Sequence, residues 1–292
     1  YLGGTPVFAD VHAGTLNLDP ARVSEKLTPR TRAIVAADFA GHPCDLDALR
    51  EIARARGLVL IEDAAHALGA QYGGRAVGGQ AHLTTFSFHP VKHIATGEGG
   101  MVVSNDPGLA ERAIRFRNHG ITSEAADRFR AGEWYYEMVD LGFNYRLTDV
   151  QCALGLSQLR KLDRFLARRE AIAARYREAL AGLRGVTLQS IAPNVRHAWH
   201  IFPILLDLDR LAADRRAIFT ALRAEGIGVN VHYIPVYWHP YYQRLGFTKG
   251  LCPVAEGVYE RLLTLPLFPA MEDRDVEDVI IAVTKVLGHF CR

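Results

Sequence analysis

The sequence has no long apolar run. Nothing in its 292 residues approaches the roughly 20 consecutive apolar positions a bilayer-crossing helix needs, so no membrane association is expected. It also lacks a charge excess. Thirty-four Lys and Arg against 32 Asp and Glu leave a formal net charge of +2, which creates no field on the scale that attracts nucleic acid. Cysteine is scarce: Cys44, Cys152, Cys252 and Cys291 are scattered without metal-ligand spacing, so no metal centre is expected. Tyr1–Asp10 has neither a basic n-region nor the shape of a signal peptide, and with so few cysteines this points to reduced thiols and a cytoplasmic protein. Internal repeats and low-complexity tracts are missing too. What remains is the composition of a soluble enzyme, 49% hydrophobic and 23% charged, long enough to bury a full core and divide into two lobes.

Apolar runs and helical patterns alternate along the chain, as in an α/β fold with a mainly parallel sheet. Strands are expected near Pro6–Asp10, Ala33–Ala37, Leu58–Glu62, Leu83–Phe88 and Met101–Ser104, and helices near Pro20–Leu27, Leu46–Arg56 and Pro107–Asn118. Asp19-Pro20 and Asp45 are good helix-start signals. The polar, aromatic-rich stretch Thr122–Asp140 reads as a long irregular loop. One long amphipathic helix is predicted from about Thr148 to Leu183, with Cys152 in the core and Arg160, Arg164, Arg168, Arg169, Arg175 and Arg177 on a solvated face. The expected organisation is a large domain over residues 1–184, including that connecting helix, and a smaller α+β domain over 185–292. The latter has strands at His200–Leu206 and Gly228–His232 and helices at Arg215–Glu225 and Asp275–Leu287.

Two segments carry chemistry. In Phe86–Ser104 a β-type run ends in Ser87, Lys92 follows five residues on, and the glycine-rich Thr96–Gly100 turn feeds a second strand. A lysine held on a rigid turn between buried strands loses solvation, which lowers its pKa and makes the amine a nucleophile toward carbonyls. A plain solvated loop lysine is the competing reading. Upstream, Leu58–Gly69 reads as a buried strand ending in Asp63. Strand carboxyl ends face the ligand crevice of an open α/β sheet, and an Asp there suits the pyridinium nitrogen of pyridoxal phosphate. An N-cap is the alternative for Asp63 taken alone. An Asp, a Ser and a Lys at neighbouring strand ends together favour the cofactor.

The segments Ile61–Gly69, Ser87–Lys92 and Thr96–Gly100, continuing through Leu141–Leu159 and Val231–Tyr237, resemble the DegT/DnrJ/StrS group of nucleotide-sugar aminotransferases in that family's order and over essentially the whole chain. The resemblance implies the fold type I architecture of pyridoxal-phosphate enzymes. It also implies transfer of an amino group, from L-glutamate, to a UDP-linked 4-keto sugar in cell-surface (pseudaminic acid-like) sugar synthesis. It makes Lys92 the Schiff-base lysine, Asp63 the partner of the pyridinium nitrogen and Ser87 a phosphate contact. His66 stands near the ring where many relatives carry Gln. Asn144 would reach the cofactor phosphate of a second subunit, which requires a homodimer with shared sites. Arg146, His200, His232 and Tyr233 fall on the substrate side.

Each assignment has a plainer counterpart. Ser87 suits a strand-end hydroxyl bonded to backbone, Asn144 a turn before the Thr148 helix, and Arg146 a structural ion pair. His89 and His93 read equally well as loop residues. At least half of the aromatic cluster Tyr233, Tyr237, Trp238, Tyr241 and Tyr242 reads as packed core. By length, about a quarter of the family's chain would precede Tyr1. That part carries the turn cradling the phosphate and the aromatic stacked on the ring, so neither is assigned. Two other activities stay open. A sugar dehydratase of this fold has His in place of the lysine, which Lys92 argues against, and a non-catalytic cofactor-binding scaffold would show no conversion on addition of an amino donor.

Overall fold

The computed structural model describes residues 3–292. Three parallel strands, Ala33–Ala37, Val59–Asp63 and Leu83–Ser87, lie side by side in that order, and Gly100–Val103 runs antiparallel along the outer edge. The parallel register aligns Ala37 with Asp63 and Asp63 with Thr85, so the three carboxyl ends reach the same edge of the sheet. The mainly parallel α/β sheet expected from the sequence is thus present.

Side-chain alternation decides which face is covered. Ile34, Ala36 and Leu60 point into a core completed by Leu46, Leu49 and Ala53 of the Leu46–Arg56 helix and Val23 of the Pro20–Lys26 helix. Both helices start as predicted, with Asp19 capping Ala21 N at 2.9 Å and Asp45 capping Ala48 N at 3.2 Å. Val35, Met101 and Val102 of the same sheet are exposed. Parallel sheets are normally covered on both faces. Here the face carrying Val35 is open among the described residues.

A second sheet, fully antiparallel, orders Leu262–Leu265, Phe202–Leu206 and Val186–Leu188. Every residue of its central strand is buried. Its core gathers Ile172, Tyr176 and Leu180 of the Leu162–Leu180 helix, Ile218 and Leu222 of the Arg215–Ala224 helix, and Val276 and Val283 of the Asp273–Phe290 helix. A third, smaller sheet pairs Gln71–Tyr72 with Arg75–Ala76 and with Val195–Arg196. Its tight turn places Gly73 and Gly74 at φ 57° and 73°, left-handed positions that favour glycine twice in succession.

Several sequence expectations are corrected. Pro6–Asp10 forms no strand; Asp10 instead accepts hydrogen bonds from Val254 N and Ala255 N at the start of the Pro253–Arg261 helix. Gly228–His232 contributes only one bridge, Asn230 to Thr264. The Thr122–Asp140 stretch contains a short helix, Ala125–Ala131.

The predicted single helix from 148 to 183 is two, Asp149–Leu159 and Leu162–Leu180, broken at Arg160-Lys161. The first half lies on the glycine turn, where Gln151 Nε2 donates to Glu98 O at 2.9 Å, while the second packs into the antiparallel lobe. Cys152 is exposed rather than core, because no residue of the first helix is buried. The arginine row is also not uniformly solvated. Arg169 is buried, and Arg168 and Arg175 reach Asp273 and Glu277 of the last helix.

Candidate active site

Asp63 ends the middle parallel strand, where its Oδ1 accepts Ala65 N at 3.1 Å and its backbone O accepts Asp38 N at 3.0 Å. Ser87 ends the adjacent strand, its Oγ accepting His89 N at 3.3 Å. The chain then turns through Pro90–Lys92, with Lys92 N donating to His89 O at 2.9 Å. The return path needs glycine. At Gly99, with φ at 151°, a Cβ would stand 2.6 Å from Thr96 Oγ1, and at Gly100 one would stand 2.6 Å from Phe86 O. These close approaches press the turn onto the sheet and hold Lys92 in a fixed place.

The Lys92 amine is half-buried. Burial lowers its proton affinity, and the charge of Asp63 opposes part of that shift. The two groups are therefore within electrostatic reach. Lys92 opens onto a groove of about 1020 Å³ that is also lined by Arg169, His200, His232, Tyr233 and Thr264.

A cluster of imidazoles adjoins the lysine. The His66 ring lies 4.2 Å from His200 and 6.1 Å from Tyr233, and His93 lies 5.5 Å from His200. Burial first, then the charge of Lys92 and the neighbouring histidines, pushes His66 down to about 3. Burial first, then Arg169, does the same for His93, and His200 is displaced in the same direction. All three rings are neutral near pH 7, so they offer polar edges without adding charge. His232 bonds Thr264 Oγ1 through Nδ1 at 2.9 Å.

The structure brings Lys92, Asp63, His66, His200, His232 and Tyr233 into one neighbourhood. It keeps Asn144 and Arg146 apart from it. Asn144, itself exposed, forms an isolated bridge with the buried Asn118, and Arg146 donates to Asn118 Oδ1. Of the aromatic cluster only Tyr233 faces the groove; Tyr237 is buried against Phe8 at 5.0 Å with its hydroxyl on Glu256.

Arg169 escaped the sequence reading. Its Nη1 lies 3.0 Å from each of Trp199 O, His200 O and Leu267 O, and burial lowers it to about 10, still fully charged near neutral pH. The signal was available: Arg169 falls three, four and seven residues before Ile172, Ala173 and Tyr176, on the buried stripe of its helix.

An amine of lowered proton affinity beside a carboxylate, with a hydroxyl at the next strand end, is a donor set that fits pyridoxal phosphate. The amine would answer its aldehyde, the carboxylate its ring nitrogen and the hydroxyl its phosphate.

Residues 1–284 match the DegT/DnrJ/EryC1/StrS aminotransferase family. The sequence is 43% identical over 286 residues to MJ1066 of Methanocaldococcus jannaschii, an uncharacterized protein, covering 97% of this chain and 74% of that one. It is 42% identical over 290 residues to the spore coat polysaccharide biosynthesis protein SpsC of Bacillus subtilis, covering 98% and 75%. Among solved structures, Helicobacter pylori PseC, an aminotransferase in pseudaminic acid biosynthesis, superposes with a TM-score of 0.91 at 32% identity, over 99% of this chain and 75% of that one.

Proposed function

The chain belongs to the DegT/DnrJ/EryC1/StrS aminotransferase family, whose members depend on pyridoxal 5′-phosphate, and from that premise we propose that it transfers the amino group of L-glutamate to the ketone of a UDP-linked 4-keto sugar destined for a cell-surface glycan. The single observation that carries this is the Lys92 amine, half-buried at the mouth of the groove within reach of Asp63. Spore coat polysaccharide synthesis for SpsC and pseudaminic acid synthesis for PseC support a sugar acceptor, and a pseudaminic acid-type precursor is the favoured one.

Lys92 would hold the cofactor covalently, Asp63 would pair with its ring nitrogen, and Ser87 would meet its phosphate. When bound, pyridoxal phosphate supplies an electron sink for the negative charge that develops at the donor's α-carbon. The protein's share is proton handling and placement. Lys92 Nζ, kept basic enough to accept and poor enough in solvation to release, takes up the α-proton of the amino donor. His66, with a neutral imidazole, would meet the cofactor ring and donate or accept a hydrogen bond without competing for the charge of Asp63. His200, His232 and Tyr233 orient the sugar in the groove, and Arg146, which stands apart from the groove of its own chain, would hold a phosphate or carboxylate only from across the homodimer interface.

The test is amination of a panel of 4-keto nucleotide sugars by the purified protein with pyridoxal phosphate and L-glutamate. A 4-amino sugar and 2-oxoglutarate are expected, with the ring position read by NMR. If glutamate is converted and no keto sugar is aminated, the acceptor is wrong.

Asn144 would act across a homodimer interface, on the cofactor phosphate of the second copy. The exposed apolar residues around it, among them Trp134, Leu141, Tyr145 and Val150, support such an interface. Mixing Lys92→Ala with Asn144→Ala under proven subunit exchange is then expected to restore part of the activity, because some heterodimers carry one site with both lesions and one with neither. Unrestored activity would mean that each site is built within one chain.

A further inference from the structure

We propose that Asp38 and Glu62 share a single proton beneath the end of the Val59–Asp63 strand, and that this acid pair is the brace that positions Asp63. The second half rests on the reading of Asp63 as the cofactor's ring partner; the first half does not.

Both carboxyls are almost completely buried, Asp38 at 1% exposure and Glu62 at 0%. Asp38 follows the Ala33–Ala37 strand and Glu62 precedes Asp63 on the next, and the parallel register sets Ala36 beside Glu62 and Ala37 beside Asp63. Parallel pairing therefore brings two buried carboxyls into one neighbourhood, where each acts on the other. Their oxygens can be assigned one by one. Asp38 Oδ1 accepts Cys44 N at 2.8 Å, and Glu62 Oε2 accepts Thr84 Oγ1 at 2.9 Å. Asp38 Oδ2 and Glu62 Oε1 are buried without any donor.

The groups acting on the pair from the surrounding elements are the Cys44 thiol and N–H, the Thr84 hydroxyl and the Gly78 backbone. The thiol already donates to Ala37 O, and none of these groups is a cation. Two ionised carboxylates side by side, desolvated and unpaired with a cation, are strongly unfavourable. One proton between Oδ2 and Oε1 turns two orphan acceptors into a donor and an acceptor. Burial, and for Asp38 the neighbouring Glu62 charge, move both groups above the usual carboxyl range, in agreement with that geometry.

The brace acts on Asp63 in two ways. The Asp38 main chain, which its own carboxyl anchors through Cys44 N, donates from N to the Asp63 carbonyl at 3.0 Å, while Thr84 pins the adjacent Glu62, so the strand end is fixed from both neighbouring strands. The shared proton also leaves one negative charge below Asp63 rather than two. A second negative charge there would repel the Asp63 carboxylate.

Three measurements on the purified protein decide this. In infrared difference spectra at pH 8 the wild type is expected to show a protonated-carboxyl C=O stretch that is lost in both Asp38→Asn and Glu62→Gln; a wild type without that band overturns the shared proton. Chemical denaturation followed from pH 5 to pH 9 adds the linkage. The folded pair binds a proton that the unfolded chain releases near pH 4, so wild-type stability falls as pH rises toward the folded value. The unfolding constant of the wild type, relative to that of Asp38→Asn, should therefore rise by up to about tenfold per pH unit. Parallel curves would also overturn it. Last, pyridoxal phosphate titration should show affinity reduced about tenfold in Asp38→Ala, the equivalent of one lost hydrogen bond, and largely recovered in Asp38→Asn, whose amide donates to Glu62. Wild-type affinity in Asp38→Ala removes the brace. Should that variant not fold, the infrared band and the pH curves of Asp38→Asn still decide between a shared proton and none. An Asp63→Ala control separates the readings: if it too binds cofactor like the wild type, the role of Asp63 is wrong while the acid pair stands.

Discussion

Lys92→Ala is expected to abolish amino transfer, with a fall in turnover of about a thousandfold or more, because on the proposed reading one side chain would supply both the nucleophile that holds the cofactor and the base that takes the α-proton. Stability should hardly change. Lys92 Nζ makes no hydrogen bond or ion pair among the described residues, and removing such a group ordinarily shifts stability by within about 0.5 kcal/mol. The effect is therefore on chemistry, measured as turnover with L-glutamate alone and with a keto sugar. Borohydride reduction of the wild-type holoprotein followed by peptide mapping should label Lys92. A label on another lysine, or turnover near the wild-type rate in the variant, would remove Lys92 from its role.

Asp63→Ala should be the next most damaging change and Asp63→Asn nearly as harmful. The carboxylate would keep the ring nitrogen protonated, and an amide of the same shape carries no charge to do so. A charge-assisted hydrogen bond contributes about 1.5–3 kcal/mol, so cofactor affinity should fall about 10- to 100-fold, with a larger loss in turnover. Asp63 is only half-buried and its one side-chain bond is to Ala65 N, so the fold should survive either substitution. Unchanged kinetics and affinity in Asp63→Ala would mean that the residue only caps the turn after its strand.

Local signals made much of this readable beforehand. Asp19-Pro20 and Asp45 announce helices because caps act within one turn of chain, and both helices begin there. The placement of Asp63 and Ser87 at strand ends and of Lys92 on the turn beyond was legible for the same reason: strand ends, a lysine and a glycine turn stand within short windows. Residues whose meaning depends on distant partners were not. Asp38 and Glu62 look like ordinary polar positions until parallel pairing sets their strands side by side. The break at Arg160-Lys161 contains neither proline nor glycine, and arises from two packing partners far apart in sequence. Arg169 was misread because an arginine row suggests solvent, while helical phase counted from Ile172 places it inside.

Arg169 also has an arithmetic of its own. A guanidinium Nη carries two hydrogens, yet three carbonyl oxygens stand at 3.0 Å from Nη1, while Nε is buried without an acceptor. Two of those oxygens belong to the approach to one strand and the third to the segment that leaves another, so the surplus acceptor sits at the seam between chain segments that arrive from different directions. One buried charge therefore serves as a rivet for both segments, at the wall of the groove.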